Sequence, residues 1–498
     1  MNYTKKLVTT MLTASILATT PMWGQHPVLT AQAETNLGLP PAAEQTLQTL
    51  YTLQPDLKSM DLMINPPKNG VYELLFNSTD QKERYARLLL DAETGALHTY
   101  ENEYEAKQKN KPSAAVAKQN ADALLQALLG DDFNKYRASQ ESNDWQVTYT
   151  RYENGLPVFT DRYVVGVNGK GVMYVDTLEG APLRASSELF VQPGKVLVEA
   201  KLPEKVASFM ELTYSAHEKA TGKPALTYSL KSSGYMNAVT GEKVESASSH
   251  TSRYSDVIAV KPGGKRFAAR NADDVKRVLA EQFQINMEGI GFDMDERILP
   301  EKKGVEGTLF KSKGGADKIL VYTNNKDVTG FQIRREGGAA TATQHQNHPE
   351  NVQLTYEEAK EKAVQFLQPY LDASVKKLKI DQSKISMPTA TAYSFSFFAL
   401  HDGVVVSDQE YLVNVDGQTG EIVNFMDYFT KPTAPFPDKK KAISKEAAAK
   451  LFLKAHPTEL GYVFPVQNKK VQAQPVPVYS IDTRSYFKLD AVTGKAFQ

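Results

Sequence analysis

There is no cysteine anywhere in the 498 residues. A disulfide framework, a thiol nucleophile and a lipid-modified cysteine are all excluded, so a chain of this length has to be held together by packed apolar cores. A surplus of charge of either sign is missing too: 58 Lys+Arg balance 58 Asp+Glu. That leaves no broad basic footprint for nucleic acid or for an anionic membrane surface. Past the N-terminus no stretch approaches the ~18 apolar residues that cross a bilayer. Catalytic signatures are lacking as well. There is no His-Glu-x-x-His pair to hold zinc beside a general base, no Gly-x-Ser-x-Gly elbow, and no Gly-x-x-x-x-Gly-Lys-Ser/Thr loop to cradle phosphate. What is present, 41% apolar and 23% charged residues, is the composition of a globular chain long enough for several domains.

The N-terminus reads as a secretory signal over residues 1–33. Lys5-Lys6 precede an apolar stretch from Leu7 to Ala18, and Ala31-Gln32-Ala33 supplies the small-x-small site before Glu34. Thr9, Thr10, Thr13 and Ser15 make that stretch too polar and too short for a comfortable membrane anchor. The expected product is exported and either extracellular or associated with the cell wall, with no membrane span after cleavage. A large exported chain without cysteine fits a bacterial source.

A short turn recurs at strand ends: Asp91-Ala-Glu-Thr94-Gly95, Asn237-Ala-Val-Thr240-Gly241, Asp416-Gly-Gln-Thr419-Gly420 and Asp490-Ala-Val-Thr493-Gly494. A side-chain oxygen at the first position can accept turn N–H groups, and the glycine can adopt the positive φ that a short hairpin loop requires. A longer match pairs the segment Tyr152 to Val167 with Leu400 to Val415. Asn154-Gly155 and Asp402-Gly403 occupy equivalent places, as dipeptides suited to type I′ turns. A helix is expected before each meander. Thr355 with Glu358 forms a capping box ahead of the stripe Tyr356, Ala359, Ala363, Phe366 and Leu367, and Ser113 precedes Val116, Leu124, Leu125 and Leu128.

The fold class implied is α+β, built from tandemly duplicated helix-plus-antiparallel-sheet modules. Their expected bounds are 34–111, 112–193, 194–250, a divergent 251–351 ending in a polar linker, 352–436 and 437–498. The long spacing between copies excludes a solenoid of ~20–50-residue repeats.

These residues resemble the YcdB/YcdC repeat family of exported bacterial proteins, in which an Ile/Leu-Ser/Thr-x-Glu-Glu-Ala helix start is combined with a sheet closing on Asp-Ala-x-Thr-Gly. They also look like the wider PepSY group found in prosegments of secreted metallopeptidases. Leu354 to Ala359 and Asp490 to Gly494 carry the match most closely. The resemblance implies a PepSY/cystatin-like module, with a helix across a curved antiparallel sheet, and a protein-binding or peptidase-regulating role outside the membrane. It transfers no catalytic residue.

Few residues offer chemistry. His345, His348 and Glu350 could present two imidazoles and a carboxylate to Zn²⁺, but Pro349 and the surrounding Gly, Thr and Gln residues describe a polar loop. The segment Gly289 to Glu296 has the acidity of a Ca²⁺ loop without its alternating ligands, and reads as a surface acidic loop. Asp91, Asp416 and Asp490 read as turn acceptors on separate sheets rather than as acid/base partners. Tyr393-Ser-Phe395-Ser-Phe397-Phe398 alternates as a strand whose aromatic face is expected beneath a helix. No catalytic, cofactor-binding or metal residue is assigned and no cofactor is expected. The expected function is that of a non-enzymatic repeat protein binding another exported protein, a peptidase included, through exposed sheet edges. A cell-envelope scaffold is the alternative, and a metal-dependent hydrolase the second alternative.

Overall fold

The computed structural model describes residues 28–29, 38–78, 85–102, 112–139, 145–168, 171–177, 185–246, 250–251, 254–255, 257–295, 307–314, 317–324, 326–335, 353–381, 392–468, 470–481 and 488–497. The chain divides into two compact units. The first comprises residues 1–153, 161–178 and 183–185, and the second residues 154–160, 179–182 and 186–498. His345, His348 and Glu350 lie outside the described residues, as does almost all of the expected signal segment.

In the first unit, helices α1 (Pro41–Leu53) and α2 (Ala114–Leu129) accompany strands β1 (Val28–Leu29), β2 (Asp61–Lys68), β3 (Val71–Asn77), β4 (Tyr85–Asp91), β5 (Leu97–Asn102), β6 (Tyr136–Ala138), β7 (Gln146–Glu153), residues 161–167 of β8 (Leu156–Val167), whose start belongs to the second unit, and β9 (Val172–Thr177). The sheet runs β1-β2-β3-β4-β5-β9-β8-β7-β6. The side chain of Ser113 starts α2 by accepting from Val116 N, and Ala117, Ala121, Leu124, Leu125 and Leu128 form its buried stripe. That stripe and Leu47 and Leu50 of α1 pack on Leu88, Tyr100 and Val165 of the sheet.

The second unit has α3 (Leu202–Val206), α4 (Ala272–Phe283), α5 (Tyr356–Leu367) and α6 (Lys445–Ala455). Its strands are β10 (Met210–Ser215), β11 (Ala225–Leu230), β12 (Ser232–Asn237), β13 (Lys243–Val244), β14 (His250–Thr251), β15 (Ile258–Ala259), β16 (Gly291–Asp295), β17 (Gly307–Lys313), β18 (Asp317–Asn324) and β19 (Asp327–Arg335). They continue with β20 (Lys377–Ile380), β21 (Ala392–His401), β22 (Val404–Asp416), β23 (Ile422–Phe429), β24 (Glu459–Val463), β25 (Val466–Gln467), β26 (Lys470–Val471), β27 (Val476–Ile481) and β28 (Leu489–Asp490).

One 12-stranded sheet follows the order β15-β20-β21-β22-β23-β19-β18-β17-β16, with β10, β11 and β28 attached through β22. Its core is aromatic: Phe283 of α4, Phe366 of α5, Phe331 and Phe425 pack ring against ring. The capping box at Thr355 is complete, the Thr355 side chain accepting from Glu358 N while the Glu358 carboxylate accepts from Thr355 N at 2.8 Å. Phe395 and Phe397 are fully buried in the same core, the place expected for that aromatic face, and the Tyr393 hydroxyl donates to the Leu354 carbonyl at 2.7 Å.

Candidate functional site

The recurring turns are closed locally. Asp91 Oδ1 accepts from Thr94 N at 2.7 Å and from Thr94 Oγ1 at 2.8 Å, Asp416 Oδ1 from Thr419 N at 2.9 Å, and Asp490 Oδ1 from Thr493 N at 2.7 Å. Asn237 Oδ1 does the same for Thr240 N at 3.0 Å. The glycines have φ of 67°, 75°, 74° and 71°, and each lies against its module's helix. A Cβ at Gly95 would stand 2.4 Å from the Ala42 carbonyl carbon of α1, and one at Gly420 would stand 2.7 Å from Lys362 Cε of α5. These turns therefore clamp sheet to helix. Asp416 and Asp490 do not lie on separate sheets, since β22 and β28 belong to one sheet linked through β10 and β11. Each carboxylate still serves its own turn.

The acidic segment after Gly289 is not a loop. Gly291–Asp295 forms β16, paired antiparallel with β17 from Gly291↔Lys313 to Asp295↔Leu309. The ladder to β17 decides this: five consecutive residues pair in register, Phe292 is buried in the core, and Asp293 and Met294 are exposed. Asp293 pairs with Lys313 at 2.5 Å instead of contributing to an ion cage. β16 ends the strand order, so among the described residues no strand lies on its outer side. Its outward N–H and C=O groups form an edge that an extended peptide can extend. Met294, 53% exposed, stands on that edge.

The sequence reading missed a buried charged cluster in the first unit. Arg151 of β7 is 3% exposed and Asp161 of β8 is 2% exposed. Arg151 Nε donates to Glu153 Oε1 at 2.9 Å, its Nη1 to Asp161 Oδ2 at 3.3 Å, and its Nη2 to the Ala185 carbonyl at 2.7 Å. The Tyr136 hydroxyl donates to Asp161 Oδ1 at 2.8 Å. Burial opposes the Arg151 charge, but its bond to Glu153 and the field of Asp161 outweigh that and hold the guanidinium above its ordinary value. Burial raises the Asp161 carboxyl against the opposing pull of Arg151. The Tyr136 phenol is pushed up by burial and by Asp161, and so remains a donor. The available signal is alternation: Arg151 follows the buried Val147 and Tyr149 on the inward face of β7, and Asp161 precedes the buried Tyr163 and Val165 on that of β8.

Among the described residues, no group of three or more His, Cys, Asp or Glu side chains is arranged to hold a metal ion. No helix among them is long and apolar enough to cross a membrane.

The architecture defines a strand-rich, mixed helix-and-sheet protein made of duplicated domains. A family model described as the YcdB, YcdC repeated domain matches residues 58–175 and again 299–428. The chain is thus a YcdB/YcdC repeat protein carrying two copies of that domain. No curated protein matches the sequence. Among solved structures, the Bacillus megaterium YpeB C-terminal domain is similar at 16% identity over 41% of this chain and 95% of that one, with a TM-score of 0.26. A likeness at that score carries no argument about fold or role.

Proposed function

We propose that this is an exported, non-enzymatic repeat protein whose PepSY/cystatin-like modules bind another exported protein at the cell surface, a peptidase being the favoured class of partner. The observation that carries the reading is the outer edge of β16, five residues long and without a neighbouring strand among the described residues. An extended segment of the partner adds there as a further strand, drawing affinity from main-chain hydrogen bonds and orientation from Met294 and the Asp293 carboxylate. The signal-like N-terminus supports export.

A photo-crosslinking amino acid at position 294, displayed on the native cell surface, tests the reading. Crosslinks to one exported protein are expected, and they should be lost when Asp293→Lys places a second cation on the edge. Crosslinks to wall polymer alone would replace the binding protein with the scaffold. Robust turnover of a peptide, ester or glycan panel, abolished by one substitution, would overturn the non-enzymatic reading.

A further inference from the structure

Two parallel contacts inside the second unit repeat each other. Tyr462 of β24 pairs with Val158 at the start of β8, and Tyr214 of β10 pairs with Val406 at the start of β22. One offset carries 158 to 406 and 214 to 462. The anchors repeat as well. Tyr462 donates its hydroxyl to the Val191 carbonyl at 3.0 Å and packs on Phe190, while Tyr214 donates to the Pro437 carbonyl at 2.9 Å and packs on Phe436.

Beyond the anchors, the two modules trade their last strands. β11 pairs with β28 through Thr227↔Asp490, and β12 pairs with β27 through Tyr235↔Ser480 and Met236↔Tyr479. The phenols cross in both directions, Tyr228 to the Ile443 carbonyl at 3.0 Å and Tyr479 to the Leu197 carbonyl at 2.8 Å. Lys231 alone separates β11 from β12. A hairpin returning β12 onto β11 needs at least about two loop residues, so the chain runs straight from one sheet into the other. The exchange is built into the connection.

We propose that this arrangement is the closed form of a two-fold exchange whose other partner is a second copy of this chain, with residues 437–498 of one molecule seated on β11, β12 and the 154–160 arm of another. Every contact would be the one already made within the chain, which is the condition that makes swapping cheap. The module hangs on a connection bearing Pro432, Pro435 and Pro437, and no cysteine fastens it. Within one chain the partner's effective concentration is about millimolar, so the closed form dominates in dilute solution and the exchanged dimer accumulates on concentrated refolding.

The lack of native cysteine permits a clean test. Two full-length variants, Tyr235→Cys and Ser480→Cys, are refolded together at high concentration and oxidised. A chain carrying both substitutions serves as control, since these register partners lie at disulfide distance in an antiparallel pair. The expected result is a covalent heterodimer from the mixture, and a two-chain mass for the unsubstituted protein refolded in the same way. A mixture that stays monomeric while the double variant closes its internal bond overturns the proposal. So does an unsubstituted chain that remains monomeric throughout.

Discussion

Four positions at the base of the type I′ hairpin carry opposite chemistry in the two repeated domains. In the first unit they are Tyr136, Arg151, Glu153 and Asp161, a buried network around one guanidinium. In the second unit the same register places Leu378 against Ala399, followed by His401 and Gln409. Leu378 and Ala399 are buried apolar residues, His401 packs at a tilt against Phe436 with ring centroids 4.5 Å apart, and the Gln409 amide donates to the Thr430 carbonyl at 3.0 Å. The backbone is thus compatible with either filling. The difference teaches that the charges are not demanded by the hairpin and that, once present, they depend on one another.

Arg151→Met should break that dependence most severely. It leaves Asp161 and Glu153 without their cation in a buried site, a loss of about 3–5 kcal/mol, read as a fall in the urea midpoint. Replacing all four residues by their second-unit counterparts (Tyr136→Leu, Arg151→Ala, Glu153→His and Asp161→Gln) should cost less than the single change, because no charge is then stranded. If the fourfold variant is the less stable of the two, the equivalence of the two sites is wrong.

The clamping turns sharpen the comparison at smaller energy. Gly95 and Gly420 share a positive φ, but an added Cβ meets the α1 backbone at Ala42 in the first unit and only the flexible end of Lys362 in the second. Gly95→Ala should therefore add a packing penalty of about 1–3 kcal/mol to the left-handed backbone cost of about 1–2 kcal/mol. Gly420→Ala should show the backbone cost alone, because Lys362 can swing away. Equal losses in thermal unfolding would mean that α1 moves as freely as a lysine side chain.

Much of this was legible in the sequence. Cap, turn and alternation signals are local, so Ser113, Thr355, the Asn154-Gly155 and Asp402-Gly403 turns and the buried face of Phe395 and Phe397 could be read from neighbours along the chain. The duplicated order was readable for the same reason. The acidic residues after Gly289 resemble a loop because charge masks a short edge strand with a single buried residue among those described, Phe292, and on an edge such charges discourage uncontrolled pairing. Strand exchange is not a local property. Nothing near Tyr235 announces Ser480, and the one hint was a connection from β11 to β12 too short for a hairpin. The charged cluster joins β6, β7 and β8 across the sheet, so its partners become visible only once the register is known.

The finest test of the comparison is pH. Burial raises Asp161. Burial also opposes ionisation of Asp91, but the Thr94 and Glu93 donors prevail and hold it below the ordinary carboxylate value. A carboxyl raised on folding binds its proton more tightly in the folded chain. Its contribution is complete below the unfolded pKa of about 3.9 and is lost as pH rises through the folded value; a lowered carboxyl contributes above that unfolded pKa and loses its contribution as pH falls through its folded value. Relative to Asp161→Asn, the natural chain should therefore lose stability as pH rises from the ordinary carboxylate range. Relative to Asp91→Asn, it should gain over its own, lower window. Slopes of the same sign in urea titrations across these windows would show that Asp161 is held by Arg151 as firmly as Asp91 is held by its turn, and the contrast between ion cluster and turn acceptor would collapse.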